Sequence, residues 1–200
     1  MRDAGAEDGA GPLAFGRHRV HVFGASGAGT STLGRLLATR LGSQHFDADD
    51  FYWRPTDPPF REARPAEERR ALAEAMFLPR AGWVLSGAME SWAERIADRF
   101  TLAVFLTLEP ALRRARLEAR ERLRHGTAAE PGGERHAEIR AFLAWADGYE
   151  KGLRPGRSLA RHEAWIRTLP CPVLRLDAAP GPEVLADAVL ARLAALREPA

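Results

Sequence analysis

The sequence has 200 residues and 46% of them are hydrophobic, so a single domain with a substantial core accounts for its length. Lys and Arg together number 29 against 27 Asp and Glu, and this near balance argues against nucleic acid or a membrane as the partner. The single cysteine, Cys171, excludes an intramolecular disulfide, and no apolar run reaches the roughly 20 residues of a membrane span.

The first sixteen residues are rich in Gly, Ala and acidic side chains, which predicts a flexible leader over residues 1–16. This segment lacks the basic start and apolar run of a secretory signal. We therefore expect a cytoplasmic protein whose single domain spans residues 17–200.

A strand, a glycine-rich loop and a helix are predicted next. The β-rich run "HRVHVFG" is followed by glycines and then by leucines at helical spacing, and Gly42 is suited to end that helix. The loop Gly24-x-x-x-x-Gly29-Thr30-Ser31 matches the phosphate-binding pattern G-x-x-x-x-G-K-[ST], apart from Thr30 in place of lysine. Glycines allow the backbone to curl so that its N–H groups point at a phosphate over the helix N-terminus.

The predicted nucleotide-binding residues form one continuous segment: Gly24, Ala25, Ser26, Gly27, Ala28, Gly29, Thr30, Ser31 and Thr32. Ser31 falls where a hydroxyl coordinates magnesium. The alternative is that the glycines only form a tight strand-to-helix turn. Without the lysine, another cation must reach the β and γ phosphates. Our hypothesis is that arginines of the 113–124 helix or of a lid, or Lys151, supply it, with Arg157 as a further possibility.

The second predicted strand, "SQHFD", runs into the acidic turn "DADD". Asp47 and Asp49 are two residues apart, so in an extended stretch they face the same way, and two carboxylates near the loop are suited to magnesium. The alternative is that these residues cap the next helix or stabilise a turn.

Phe51–Arg64 is rich in Pro and aromatic residues and predicts an ordered loop over a cleft, followed by a helix over Pro65–Pro79. The aromatic side chains of Phe51, Tyr52 and Trp53 either wall an acceptor pocket or fill the core.

The apolar runs "GWVLSGAM" and "FTLAVFLTL" predict central strands of a parallel sheet. Ser86 lies at the carboxyl end of the first of these strands, where open α/β sheets bind ligands, so we expect it to contact substrate.

An arginine-rich helix is predicted over Ala111–His125. Its arginines at spacings of three and four form one stripe that is able to grip phosphates, or else a solvated face. The stripe consists of Arg113, Arg116, Arg120 and Arg124, of which Arg116 and Arg120 are our candidates for catalysis. The Gly and Pro cluster that follows predicts a mobile lid at about residues 125–134, before a helix over Glu134–Tyr149.

The last predicted elements are a short helix over Ser158–Leu169, a fifth strand "CPVLRLD" and a closing helix over Glu183–Leu196. Strands that alternate with helices specify an α/β fold with a five-stranded parallel sheet and helices on both faces. The histidines show no metal-ligand spacing, so we expect no zinc site.

These motifs together resemble the P-loop small-molecule kinases, the adenylate, shikimate and gluconate kinase group, and in particular a branch without the loop lysine. "GASGAGTSTLGRLLA" is similar to that group's "GxSGSGKSTxxxxLA". "FDADD" resembles the acidic pair after its second strand, and "VLSGAM" resembles its third strand. The resemblance implies a three-layer P-loop NTPase fold with a small lid, and ATP or GTP with Mg²⁺ as cofactors. It also implies that Asp47 helps to hold the metal through water and that Asp49 contacts the acceptor hydroxyl.

The leading functional hypothesis is a magnesium-dependent kinase that transfers the terminal phosphoryl group of ATP or GTP to a small-molecule acceptor. The alternatives are a catalytically weak nucleotide-binding or sensor protein and an NTP hydrolase that acts as a switch. The expected partners are a nucleotide and the acceptor, and the protein is expected to be a monomer or a homodimer.

Overall fold

The sheet consists of five parallel strands, as predicted. A computed structural model describes residues 17–89, 92, 96–152 and 156–196, so the predicted leader lies outside the described residues. The strands are β1 (Arg19–Gly24), β2 (His45–Asp47), β3 (Trp83–Ser86), β4 (Leu102–Thr107) and β5 (Val173–Asp177). Their spatial order is β2-β3-β1-β4-β5, and each neighbouring pair is parallel.

Helices follow the strands in alternation. They are α1 (Thr30–Arg40), α2 (Ala48–Tyr52), α3 (Ala66–Met76), α4 (Pro110–His125), α5 (His136–Ala146), α6 (Leu159–Ile166) and α7 (Pro182–Ala195). The predicted helices are all present with ends that differ by a few residues, whereas α2 was not predicted. None of the helices in the described ranges has the length and apolar character needed to cross a bilayer.

Alternating side chains of the strands divide the core into two layers, one on each face of the sheet. Val20 and Val22 of β1 pack with the leucines of α1 and with α7, including Leu37 and Val189. Phe23 points to the opposite face, where it packs with β4 and with residues of α6. Burying each such side chain contributes about 1.5–3 kcal/mol, so both layers stabilise the sheet. The predicted three-layer arrangement is confirmed.

The arginine-rich helix α4 packs against α5 through a smaller apolar cluster. Its buried members are Leu117, Ile139, Leu143 and Ala146. The connection between the two helices contains the 3₁₀ helix Gly126–Ala129, which lies within the segment predicted to be a lid. The movement of that segment stays a prediction.

Candidate functional site

The glycine-rich loop connects β1 to α1 and keeps the N-terminus of α1 open. Gly27 and Gly29 have φ angles of 88° and 94°, a left-handed conformation that side chains rarely adopt. Gly24 must lack a side chain for another reason, because a Cβ there would lie 2.4 Å from the carbonyl oxygen of Leu106. Within the described ranges, no side chain caps the first turn of α1, and that turn holds no acidic residue. Its amides are therefore available to an anion.

The loop also packs directly on α4. A Cβ at Gly27 would lie 2.8 Å from Cγ of Leu117 and 3.1 Å from Cγ of Arg113. Arg113 is fully buried, donates to the carbonyl of Ala146 at 2.9 Å and to the carboxylate of Glu150 at 2.8 Å, and approaches the carbonyl of Ser26 at 3.5 Å. The predicted phosphate-gripping role of Arg113 therefore does not fit, because its guanidinium is committed to structural partners.

Ser31 and Asp47 lie together beside the loop. The Ser31 hydroxyl donates to Oδ2 of Asp47 at 2.6 Å. A hydroxyl and a carboxylate are the oxygen ligands that Mg²⁺ prefers, and Mg²⁺ usually takes only one or two protein ligands together with phosphates and waters. The pair therefore fits the predicted metal. Among the described residues, no group of three or more His, Cys, Asp or Glu side chains is arranged to hold a metal ion by itself.

A chain of partly buried hydrogen bonds supports Asp47. Ser86 contacts Oδ2 of Asp47 at 3.4 Å and the Nε2 atom of His45 at 2.8 Å. Ser86 is fully buried, and its described hydrogen bonds go to Asp47 and His45, an arrangement that does not favour the expected contact with substrate. Burial lowers the pKa of His45, with the Asp47 charge acting in the opposite direction. A neutral His45 is therefore favoured behind the acidic site.

Gly34 explains how α1 approaches these strands. A Cβ at Gly34 would lie 2.8 Å from the imidazole of His45 and 3.1 Å from Cβ of Ser86. Because glycine has no side chain, α1 packs closely onto β2 and β3, and this places Ser31, one turn earlier, beside Asp47. The sequence pattern did not indicate that His45 supports Asp47 through Ser86 or that Gly34 allows the close packing of α1. The interruption of a leucine-rich helix by glycine was the available signal.

The acidic stretch is helical beyond Asp47, which corrects the extended geometry that we assumed. Asp47 ends β2 and caps α2, accepting a hydrogen bond from the amide of Asp49 at 3.1 Å. The capping alternative is thus confirmed, although the carboxylate also contacts Ser31. Asp49 lies in the first turn of α2 rather than on an extended strand with Asp47, because an Asp at the N-cap stabilises the start of a helix.

Asp49 is accessible to solvent, and surrounding protein atoms partly desolvate it. This desolvation raises the pKa of Asp49, and the negative charges of Asp47 and Asp50 act in the same direction. The positive charges of Arg157 and Arg120 oppose the rise. An accessible carboxylate with a raised pKa is typical of a functional site.

The two arginines that we expected to be catalytic have different surroundings. Arg116 donates to the carbonyls of Ala178 and Ala179, at the end of β5, at 3.0 and 3.3 Å. Arg120 pairs with Glu121 at 2.7 Å, and its charge also acts on Asp49. The charge of Arg120 therefore acts on Asp49, whereas the described contacts of Arg116 hold it to the loop after β5.

Three further basic residues of the hypothesis also have different surroundings. Arg157 donates to the hydroxyl of Ser26, in the middle of the glycine-rich loop, at 3.1 Å. Lys151 and Arg124 are exposed, and Arg124 contacts Glu121 at 3.9 Å. Only Arg157 among these three reaches the loop in the described structure.

The aromatic residues after the acidic stretch divide between core and surface. Phe51 is 2% exposed and packs on Phe77 and Trp92, so it fills the core and does not wall a pocket. Trp53 pairs with Ala63 as an antiparallel bridge, which turns the predicted loop into a hairpin-like excursion.

The hairpin-like excursion is linked to α5 by an ion pair. Arg61 donates to Glu138 of α5 at 2.9 Å. Both side chains are about half exposed, so the pair contributes at most about 1 kcal/mol to stability.

Comparison with known proteins gives one sequence relative and several structures of similar fold. No established family profile matches the chain. The uncharacterized protein YqaC of Bacillus subtilis (strain 168) is 38% identical over 161 residues, which cover 80% of this chain and 89% of YqaC.

The solved structures of similar fold include two kinases. A gluconokinase from Sinorhizobium meliloti 1021 has a TM-score of 0.51 and 17% identity, covering 91% of this chain and 94% of that one. Shikimate kinase from Acinetobacter baumannii, solved in complex with shikimate, has a TM-score of 0.55 and 16% identity, covering 91% of this chain and 96% of that one. The chain therefore has the fold of the P-loop small-molecule kinases.

Proposed function

The chain belongs to the same family as YqaC of Bacillus subtilis, and from this premise, together with the fold, we propose that it is a magnesium-dependent kinase. It binds ATP or GTP and transfers the terminal phosphoryl group to a small-molecule acceptor. The observation that carries the proposal is the 2.6 Å contact between Ser31 and Asp47, directly beside the open N-terminus of α1. Oxygen ligands for a metal and amides for a phosphate occur there side by side.

In this proposal, the segment from Gly24 to Thr32 holds the phosphates. The amides that follow Gly27 and Gly29 donate to phosphate oxygens, and the positive end of the α1 dipole favours their negative charge. Ser31 and Asp47 hold the Mg²⁺ ion, Asp47 through water. When bound, the ion neutralises negative charge on the phosphates.

Asp49 is the proposed acceptor-side residue. Its accessible carboxylate accepts a hydrogen bond from the acceptor hydroxyl and orients it. Because its pKa is raised, this carboxylate is also a stronger base than an ordinary aspartate. Arg120, whose charge already acts on Asp49, neutralises charge on the transferred group. We retain Arg116 as a candidate in the same role only if it leaves the carbonyls of Ala178 and Ala179.

In this proposal, two surface segments exclude water from the reaction. These are the hairpin-like excursion from Trp53 to Ala63 and the connection between α4 and α5, the proposed lid. As part of the same proposal, the kinase acts in the cytoplasm as a monomer or a homodimer, and the single cysteine is consistent with a reducing compartment.

Thr30 favours a second candidate, a protein that binds or senses a nucleotide without turnover. Threonine at this position removes the positive charge that the lysine of the pattern brings to the β and γ phosphates. If no other cation compensates, the loop and helix N-terminus still bind a nucleotide but transfer is slow.

The experiment that separates these functions uses γ-labelled ATP or GTP, Mg²⁺ and a pool of sugars, nucleosides and nucleotides. Label in an acceptor supports the kinase. Binding without label transfer supports the sensor, and release of labelled phosphate without an acceptor supports a hydrolase switch. Asp49→Asn is the control variant, because it removes the proposed acceptor contact and leaves the glycine-rich loop intact.

A further inference from the structure

The glycine-rich loop carries no basic side chain of its own between Gly24 and Thr32. A nucleotide bound there would bring several negative charges to a helix N-terminus that supplies only a partial positive charge. We propose that Arg157 takes the place of the missing lysine and binds the terminal phosphates of the nucleotide. This inference rests on the proposed function, because it assigns the cation of the same site.

The contact between Arg157 and the loop is direct. An Nη1 hydrogen bond joins Arg157 to the hydroxyl of Ser26 at 3.1 Å, although the two residues are 131 positions apart in sequence. Ser26 is the third residue of the loop, between Gly24 and Gly27. Arg157 is half-buried, and its guanidinium has several further N–H groups. The contact therefore leaves donors available for phosphate oxygens.

The start of α6 holds Arg157 in position. Ser158 is buried and caps α6, accepting from the amide of Arg161 at 3.3 Å. The amide of Leu159 donates to the carbonyl of Tyr149 at 3.0 Å, and Gly156 has the left-handed φ of 98° that turns the chain into the helix. The backbone that directly follows Arg157 is thus held by hydrogen bonds, which lowers the entropy lost when its side chain binds an anion.

Three arginines of α4 have described contacts outside the glycine-rich loop segment or with its main chain only. Arg113 is fully buried against Glu150, and Arg116 donates to main-chain carbonyls. Arg120 makes a close pair with Glu121. In the described ranges, Arg157 is the arginine whose side chain hydrogen bonds to a side chain of the glycine-rich loop. A planar guanidinium also binds phosphate in a bidentate manner, which a single lysine ammonium does not.

The test measures affinities for ATP, ADP and AMP by calorimetry in the presence of Mg²⁺. Arg157→Ala is expected to weaken ATP binding by about 10–100-fold, because charge-assisted hydrogen bonds to the terminal phosphates are lost. It is expected to weaken AMP binding by less than about 3-fold, because AMP lacks those phosphates. Arg161→Ala is the matched control, because it removes the same charge from an exposed position four residues later, in α6. Circular dichroism and thermal unfolding establish that each variant is folded.

A second pair of variants tests whether Arg157 takes over the function of the missing lysine or only lies beside the loop. Thr30→Lys restores the charge at the position that the pattern prescribes. If Arg157 replaces that lysine, Thr30→Lys raises the ATP affinity of the Arg157→Ala protein at least about 10-fold more than it raises that of wild type. Equal gains in both backgrounds would overturn the inference.

Different results would overturn the proposed function and the role of Arg157. Wild-type protein that binds ATP, with Arg157→Ala binding it equally well, overturns the role of Arg157 and leaves the proposed function standing. Wild-type protein that binds none of the three nucleotides overturns the proposed function and the inference together.

Discussion

Replacing Gly27 by alanine tests how closely the glycine-rich loop packs on α4, and Gly29 provides a matched control. Both residues have left-handed φ angles, 88° and 94°. A Cβ at Gly29 would meet no atom within 4 Å, whereas a Cβ at Gly27 would lie 2.8 Å from Cγ of Leu117 and 3.1 Å from the carbonyl oxygen of Arg113. The two substitutions therefore share the backbone strain and differ in the overlap.

The magnitudes follow from these two contributions. A left-handed conformation costs an alanine about 1–2 kcal/mol, and this applies to both positions. Overlap with a packed side chain and a carbonyl adds about 1–3 kcal/mol at Gly27 alone. We expect Gly29→Ala to lower the free energy of unfolding by about 1–2 kcal/mol and Gly27→Ala by about 2–5 kcal/mol.

Urea unfolding followed by tryptophan fluorescence measures these losses, because Trp83 and Trp92 are buried and report on the core. Shortening the nearest neighbour relieves part of the overlap, so Gly27→Ala should cost at least about 1 kcal/mol less in a Leu117→Ala background. Equal losses at Gly27 and Gly29, with no coupling to Leu117, would refute the close packing of the loop on α4.

Three further predictions concern titration, metal and turnover. Burial lowers the pKa of His21 to about 3, so the folded protein keeps it neutral while the unfolded chain protonates it near its ordinary value. The free energy of unfolding should therefore fall as the pH drops from about 6.5 to about 3, by up to about 4–5 kcal/mol, and His21→Phe should remove most of this fall. Asp47→Asn should weaken nucleotide binding by about 10–100-fold with Mg²⁺ and far less without it. Asp49→Asn should lower kcat by about 10²–10⁴-fold while nucleotide affinity changes little.

Each of these predictions has a contrary outcome. A pH profile of stability in His21→Phe that parallels that of wild type would show that the buried imidazole does not cause the acid sensitivity. Equal weakening with and without Mg²⁺ would remove Asp47 from the metal site. Normal turnover in Asp49→Asn would exclude its carboxylate from the transfer step.

The glycine-rich loop could be located from sequence because its determinants are local. Gly27 and Gly29 require a left-handed backbone, and the helix that follows has a regular leucine pattern. The short helix α2 could not be found in this way, since five residues are too few to show helical periodicity. Asp47 therefore suggested an extended acidic turn, although its side chain caps a helix.

The arginines show where sequence patterns stop being informative. The spacing of Arg113, Arg116 and Arg120 predicts a shared stripe on a helix, but it does not tell which partner each side chain meets. Arg113 pairs with Glu150, 37 residues later in the chain, and this contact exists only because α4 and α5 pack together. The contact between Arg157 and Ser26 depends in the same way on tertiary structure, and so only the folded chain distinguishes it from the other arginines.

The buried guanidinium of Arg113 affects how the glycine-rich loop would bind an anion. It approaches the carbonyl of Ser26 while it is hydrogen-bonded to Ala146 and Glu150, so the loop and the end of α5 share one anchor. We therefore expect the shape of the loop to be set when the chain folds, before an anion binds. Association would proceed without a separate ordering step, and the entropy of arranging these amides would be absent from the measured binding entropy.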